Sequence, residues 1–194
     1  DILCFIDFEK SKDHWWLITE YIDNPSLVEF LETKLNQKDK LTLMINIAKA
    51  IQRLHSVNII HKDIKQENIL VDPKTLKIKL IDFGYSCILN EEICKTAMGT
   101  IEYIDARLLF SHLSGKYNDI YSLGVLFAEM WTNHFIVAKD DIQKVRKRDA
   151  VLQLNREINK IKDNKIKTLI QNMTQRDTSL RPDINQVLSE LNDI

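Results

Sequence analysis

Flexible punctuation is nearly missing from this sequence. Glycine occurs 4 times and proline 3 times in 194 residues, which excludes a flexible or proline-rich linker and any low-complexity tract. Cysteine occurs 3 times, as Cys4, Cys87 and Cys94, an odd number without the paired spacing of a zinc site. The expectation is three reduced thiols in an intracellular, cytoplasmic protein, with Cys87 and Cys94 on a loop and buried or inert, redox sensitivity being the alternative. No apolar run approaches the roughly 18 residues of a spanning helix, and Asp1-Ile2-Leu3-Cys4 lacks the basic start of a signal peptide. Neither sign of charge dominates. With 27 Lys+Arg against 28 Asp+Glu the formal net charge is −1, so no global field draws nucleic acid or an anionic membrane. What is present is 44 % hydrophobic residues, enough to build the core of one domain.

The chemistry concentrates in His61-Lys62-Asp63-Ile64-Lys65-Gln66-Glu67-Asn68, where an acid, a cation and a carboxamide fall within six residues. Ile69-Leu70-Val71 follows and reads as a short buried strand, so the polar groups sit on a loop anchored by buried backbone. Nineteen positions after Asp63, Leu80-Ile81-Asp82-Phe83-Gly84 reads as a strand ending in an acid, an aromatic and a glycine. Phosphoryl transfer needs such a set: a carboxylate to orient a hydroxyl, a cation to offset phosphoryl charge, and a carboxylate with an amide oxygen for Mg²⁺.

Around these motifs the pattern alternates between strand and helix. Residues 2–8 read as a buried strand and 15–22 as a second, rich in aromatic and β-branched side chains. Asp23-Asn24-Pro25-Ser26 breaks the pattern, and Ser26 caps a short helix to about Thr33. Asp39–Val57 carries Leu41, Met44, Ile45, Ala48, Ile51 and Leu54 at three- and four-residue steps, one apolar helical face. His55 near that face reads as a satisfied core histidine. Residues 71–76 form a hairpin turn with Pro73 fixing φ, and 76–81 a half-exposed strand. Residues 118–131 are nearly all apolar, the mark of a helix buried on every side. The stretch from His134 to about Lys160 is helical and charged, with Lys144–Arg148 a solvated basic run. Helices follow at 163–173 and from Pro182 onward.

H-K-D-I-K-Q-E-N and D-F-G together resemble the catalytic and metal-binding loops of the eukaryotic protein kinase family, Ser/Thr type. Gly99-Thr100-Ile101-Glu102-Tyr103 is similar to the family's G-T-x-x-Y, Asp119–Gly124 to its D-x-W-S-x-G with Tyr121 for Trp, and Met173 to Pro182 to its closing M-x-x-x-D-P-x-x-R-P with Thr178 for the first Pro. The resemblance implies an α+β, protein-kinase-like fold over 1–194: the end of the N-terminal lobe at 1–19, a hinge at 20–25, and a helical C-terminal lobe at 26–194. It implies ATP and Mg²⁺ as cofactors and a protein substrate, without nucleic acid or membrane. Asp63, Lys65 and Thr100 take the catalytic positions, Thr100 bridging the other two. Asn68 and Asp82 hold the metal. Glu20 and Ile22 meet the adenine through backbone groups, Leu70 lies beneath it, and Thr19 gates the back of the pocket. Lys65 also faces the nucleotide. His61 packs on Phe83 structurally, Asp119 supports the loop backbone, and Gly84 gives the D-F-G turn its backbone freedom.

Departures from the family set further expectations. Residue 1 falls before the fourth strand of the N-terminal lobe, so the glycine-rich loop, strand lysine and helix glutamate do not appear in the sequence. Arg107 stands where the family has the glutamate that pairs with the Arg181 position, so Arg107 is expected to turn to solvent and Asp105 or another carboxylate to take Arg181. Lys62 replaces arginine and cannot make a bidentate phosphate contact, which weakens control by phosphorylation of Thr96. Gln66 in place of proline reads as a minor change. Two rival functions remain open: a pseudokinase-like interaction module, and a small-molecule phosphotransferase sharing the loop.

Overall fold

Local chemistry starts and stops the elements of the computed structural model, which describes residues 1–89, 94, 99–100, 102–105, 114–136 and 147–194. Ser26 caps helix α1 (Leu27–Leu31), with the Glu29 carboxylate returning to the Ser26 amide in a reciprocal capping box. Asn36 caps α2 (Gln37–Ser56) by accepting from the Asp39 amide at 2.8 Å. Leu43, Ile47 and Ala50 fill the centre of its buried face beside Met44, Ala48, Ile51 and Leu54, and Leu41 and Ile45 lie at its partly buried margin. Helix α3 (Lys116–Thr132) is buried from Asp119 to Met130 and ends at Asn133, which is left-handed with φ 56°. Helices α4 (Lys147–Lys160) and α5 (Asn164–Met173) pack on α3, and α6 (Ile184–Asn192) packs on α2. Asp163 and Asp183 cap α5 and α6, so the last helix begins two residues after Pro182.

Among the described residues the strands form three antiparallel pairs. β1 (Phe5–Lys10) pairs with β2 (Trp15–Thr19), β3 (Ile59–Ile60) with β6 (Cys87–Ile88), and β4 (Ile69–Val71) with β5 (Ile78–Leu80). β4 and β5 bury Ile69, Val71, Ile78 and Leu80 against the helices. Asp72 accepts from the Lys74 and Thr75 amides to close their hairpin, and Leu76 takes the left-handed conformation. Ile2 bridges Leu80 in parallel, and Ser26 bridges Leu70. These links dock the N-terminal hairpin and the 20–26 segment beside β4 and β5.

The β1–β2 hairpin corrects the expectation of a buried first strand. Phe5, Ile6, Phe8, Trp15, Trp16 and Leu17 are all more than half exposed. The alternation is that of a strand, but among the described residues the hairpin meets the remainder mainly at its base, through Leu3, Glu20 and Lys79. Large apolar and β-branched side chains favour a strand, but their burial depends on packing partners that the local pattern does not encode.

A second correction concerns the cysteines. Cys87 and Cys94 are joined in a disulfide, Cα to Cα 5.4 Å, and only Cys4 is a free, exposed thiol. β3 presents Ile60 to Cys87 and Cys94 in a small apolar cluster separate from the main core. Odd count and lack of metal spacing say nothing about which thiols the fold brings together.

Candidate active site

The loop from His61 to Asn68 hangs between the end of α2 and β4, and a buried carboxylate holds it from below. Asp119, on the first turn of α3, accepts from the His61 amide (Oδ2, 2.9 Å) and the Lys62 amide (Oδ1, 2.9 Å). Oδ2 also meets His55 Nε2 at 2.9 Å, which makes His55 a satisfied core histidine as expected. Lys62 sits at φ 68°, a conformation costly for a lysine. Contacts that hold that turn include Asp119 below, the Cys94 carbonyl accepting from Lys62 Nζ at 3.0 Å, and Gly99 packed on the Lys62 carbonyl. A Cβ on Gly99 would lie 2.2 Å from that carbonyl oxygen, and Gly99 itself has φ 129°, so only glycine fits there.

Asp63 is 2 % exposed and fully engaged. Oδ1 accepts from the Thr100 amide (2.8 Å) and hydroxyl (2.6 Å); Oδ2 accepts from Lys65 Nζ (3.0 Å) and Asn68 Nδ2 (2.9 Å). Lys65 Nζ also donates to Thr100 Oγ1 at 2.8 Å. Burial pushes the Asp63 carboxyl up, but the donors Thr100, Lys65 and Asn68 outweigh it and hold the group below the usual aspartate range. Asp63 is therefore a fixed anion at neutral pH. The His61 ring packs on Phe83 with centroids 5.0 Å apart, and burial lowers its basicity.

Asn68 donates twice to Asp63, to its carbonyl and its carboxylate, which turns the amide oxygen to other use. The Ile81 amide donates to the Asn68 carbonyl at 2.9 Å, so Asp82 begins beside Asn68. Asp82 is exposed, has φ 61°, and accepts from the Gly84 amide at 3.1 Å. The left-handed residue of the D-F-G turn is thus Asp82, which corrects the expectation placed on Gly84. A carboxylate and an amide oxygen are hard ligands of the kind Mg²⁺ takes when phosphates complete its shell, so this pair fits the ion. Glu20 is held by its side chain, to Lys79 Nζ at 2.5 Å and to the Cys4 amide at 2.7 Å. Lys79 keeps the Glu20 carboxyl below its ordinary range. Ile22 and Leu70 are half-buried on the neighbouring 20–26 segment and β4, and Thr19 ends β2.

Sequence reasoning undervalued Gln66. It is buried and donates to Glu129 Oε2 at 2.8 Å, where the Tyr103 hydroxyl also donates at 2.6 Å; Oε1 accepts from the Ile136 amide at 3.0 Å. This network ties the loop to α3 and to the segment after Thr100. A polar residue where the family has proline was the signal available. Arg181 pairs with Asp105, as expected, donates to the Gln175 and Tyr117 carbonyls, and stacks over Tyr121 at 5.0 Å. Thr96, Arg107 and the 144–146 part of the basic run lie outside the described residues.

Comparison with known proteins points the same way. The family described as protein kinase domain matches residues 1–191. The chain is 28 % identical over 149 residues to "Probable serine/threonine-protein kinase HSL1" of Saccharomyces cerevisiae, covering 75 % of this chain and 10 % of that protein. It is 32 % identical over 145 residues to serine/threonine-protein kinase shk2 of Schizosaccharomyces pombe, covering 73 % of this chain and 24 % of that one. It is 30 % identical over 186 residues to an RGS domain-containing serine/threonine-protein kinase A of Dictyostelium discoideum, covering 94 % and 16 %. The chain thus spans a quarter or less of each of these relatives. No helix among the described residues is long and apolar enough to cross a membrane.

Proposed function

The chain belongs to the protein kinase domain family, and from that premise we propose that it transfers the ATP γ-phosphoryl group to Ser or Thr hydroxyls of protein substrates. The observation that carries this reading is the four-donor clasp on Asp63 by Thr100, Lys65 and Asn68. Asp63 orients the substrate hydroxyl and accepts its proton as phosphoryl transfer proceeds. Because its carboxyl is held low, orientation is its larger contribution and proton transfer comes late. Lys65 sits 3.0 Å from Asp63 and offsets charge on the moving phosphoryl group. Thr100 fixes both side chains and favours Ser/Thr over Tyr acceptors. Asn68 and Asp82 would hold Mg²⁺, which neutralises charge on the nucleotide phosphates when bound. Backbone groups of Glu20 and Ile22 would meet the adenine, with Leu70 beneath it. The 1–19, 20–25 and 26–194 division and a cytoplasmic location belong to the same proposal.

The test is label transfer from radiolabelled ATP by the full-length protein to Ser, Thr and Tyr peptides and to small-molecule alcohols. Transfer to Ser or Thr peptides is expected, with Asp63→Asn slower by about 10²–10⁴-fold. Transfer to small alcohols alone, or equal rates for Asp63→Asn, would contradict the proposal. The exposed apolar β1–β2 hairpin favours the second reading, an interaction module without catalysis; it gains if no acceptor is labelled.

A further inference from the structure

The Cys87–Cys94 bond joins two residues that flank the catalytic loop's strained turn at Lys62. Cys87 pairs with Ile60 across β3 and β6, and Cys94 is bonded to it by sulfur and to Lys62 by its carbonyl. Lys62 directly precedes Asp63, and its positive φ needs packing from neighbours to persist. Ser86, beside Cys87, donates its hydroxyl to the His61 carbonyl at 3.2 Å. The two ends of the bridge therefore hold consecutive parts of the chain: the Cys87 end meets Ile60 and, through Ser86, His61, and the Cys94 end meets Lys62. Both cysteines are buried, so a reductant reaches them through local opening.

We propose that Cys87 and Cys94 form a dithiol–disulfide control site that fastens Cys94 over Lys62 when oxidised and slackens the loop carrying Asp63 when reduced. The reaction is two-electron thiol–disulfide exchange with a dithiol reductant. A reductant thiolate attacks one cysteine sulfur, the Cys87–Cys94 bond breaks, and a mixed disulfide forms. The reductant's second thiolate then displaces the cysteine and closes the reductant's own disulfide. Two protons end on the Cys87 and Cys94 thiolates. In the oxidised form the bridge tethers Cys94 to Cys87, and the clasp on Asp63 is assembled. Reduction removes the tether and loosens the carbonyl that receives the buried Lys62 ammonium. The consequence for phosphoryl transfer, slower turnover on reduction, rests on the function proposed above. The bond and its coupling to the loop do not.

Two measurements on the full-length protein without nucleotide test the site: alkylation mapping and hydrogen exchange, each with and without dithiothreitol. Cys4 should alkylate at once, and Cys87 and Cys94 only after reduction. Reduction should speed exchange of the His61 and Lys62 amides by about tenfold through more frequent local opening. The double variant Cys87→Ser, Cys94→Ser should exchange at the reduced rate in both buffers; if it fails to fold, reduced and alkylated wild type replaces it. Alkylation of Cys87 and Cys94 without reductant would show there is no bond. A bond whose reduction leaves His61 and Lys62 exchange unchanged would be a staple only. Either result overturns the proposal.

Discussion

Glu129 is a carboxylate in a place that disfavours charge. Burial pushes it up, while Tyr103, Ile136 and Gln66 donate to it and pull it back, leaving it above its ordinary value of 4.5. Burial likewise keeps the Tyr103 phenol protonated. A carboxyl raised by folding contributes stability that is complete below its unfolded value and is lost as pH rises through its folded value. Tyr103→Phe removes one donor from the anion and raises Glu129 further. The variant should lose about 1–3 kcal/mol at pH 8 and less at pH 4, because acid favours the neutral Glu129 carboxyl in both proteins. Denaturant unfolding at the two pH values measures the difference. An equal loss at both would mean that the hydroxyl acts by packing alone. The same scale separates what the residues disclosed from what they did not. The contacts of Thr100 with Asp63 and Lys65, of Asp119 with the loop backbone, and of Asp105 with Arg181 followed from motif positions. The Gln66–Glu129 bond and the Cys87–Cys94 bridge did not, because each joins residues whose proximity depends on how separate elements dock.

Helix α3 was the easiest element to read, since a segment apolar on all sides has nowhere to lie but the core. Its packing on α5 depends on Gly124, where a Cβ would approach Thr174 Cγ2 to 2.8 Å and Met173 Cβ to 3.0 Å. Alanine improves helix propensity by about 1 kcal/mol, but forcing two packed helices apart costs about 1–3 kcal/mol. Gly124→Ala should therefore lower the melting temperature by a few degrees; an increase would show that α5 yields freely. The D-F-G turn was less legible. The motif led to Gly84 as the conformationally special residue, whereas the backbone turns left-handed at Asp82 and accommodates it with the Gly84 amide. The β1–β2 hairpin was legible as strands but not as exposed strands, because period-two alternation reports a pleat and not what covers it.

Among the described residues, helices α2 to α6 build the core, and the short pairs β3–β6 and β4–β5 flank the polar loop from His61 to Asn68. This arrangement places Asp63 in a buried clasp and leaves Asp82 exposed beside it. A structural core alone has no need of a carboxylate with four donors next to an amide oxygen and an exposed carboxylate. That asymmetry fits the Mg²⁺–nucleotide site proposed above. The most direct measurement is calorimetric titration of the full-length protein with ATP, with and without Mg²⁺, for wild type and Asp82→Asn. Binding that strengthens with Mg²⁺ in wild type, and loses that dependence in the variant, is the expected result. Failure of wild type to bind ATP under either condition would contradict the kinase reading and leave the interaction module in its place.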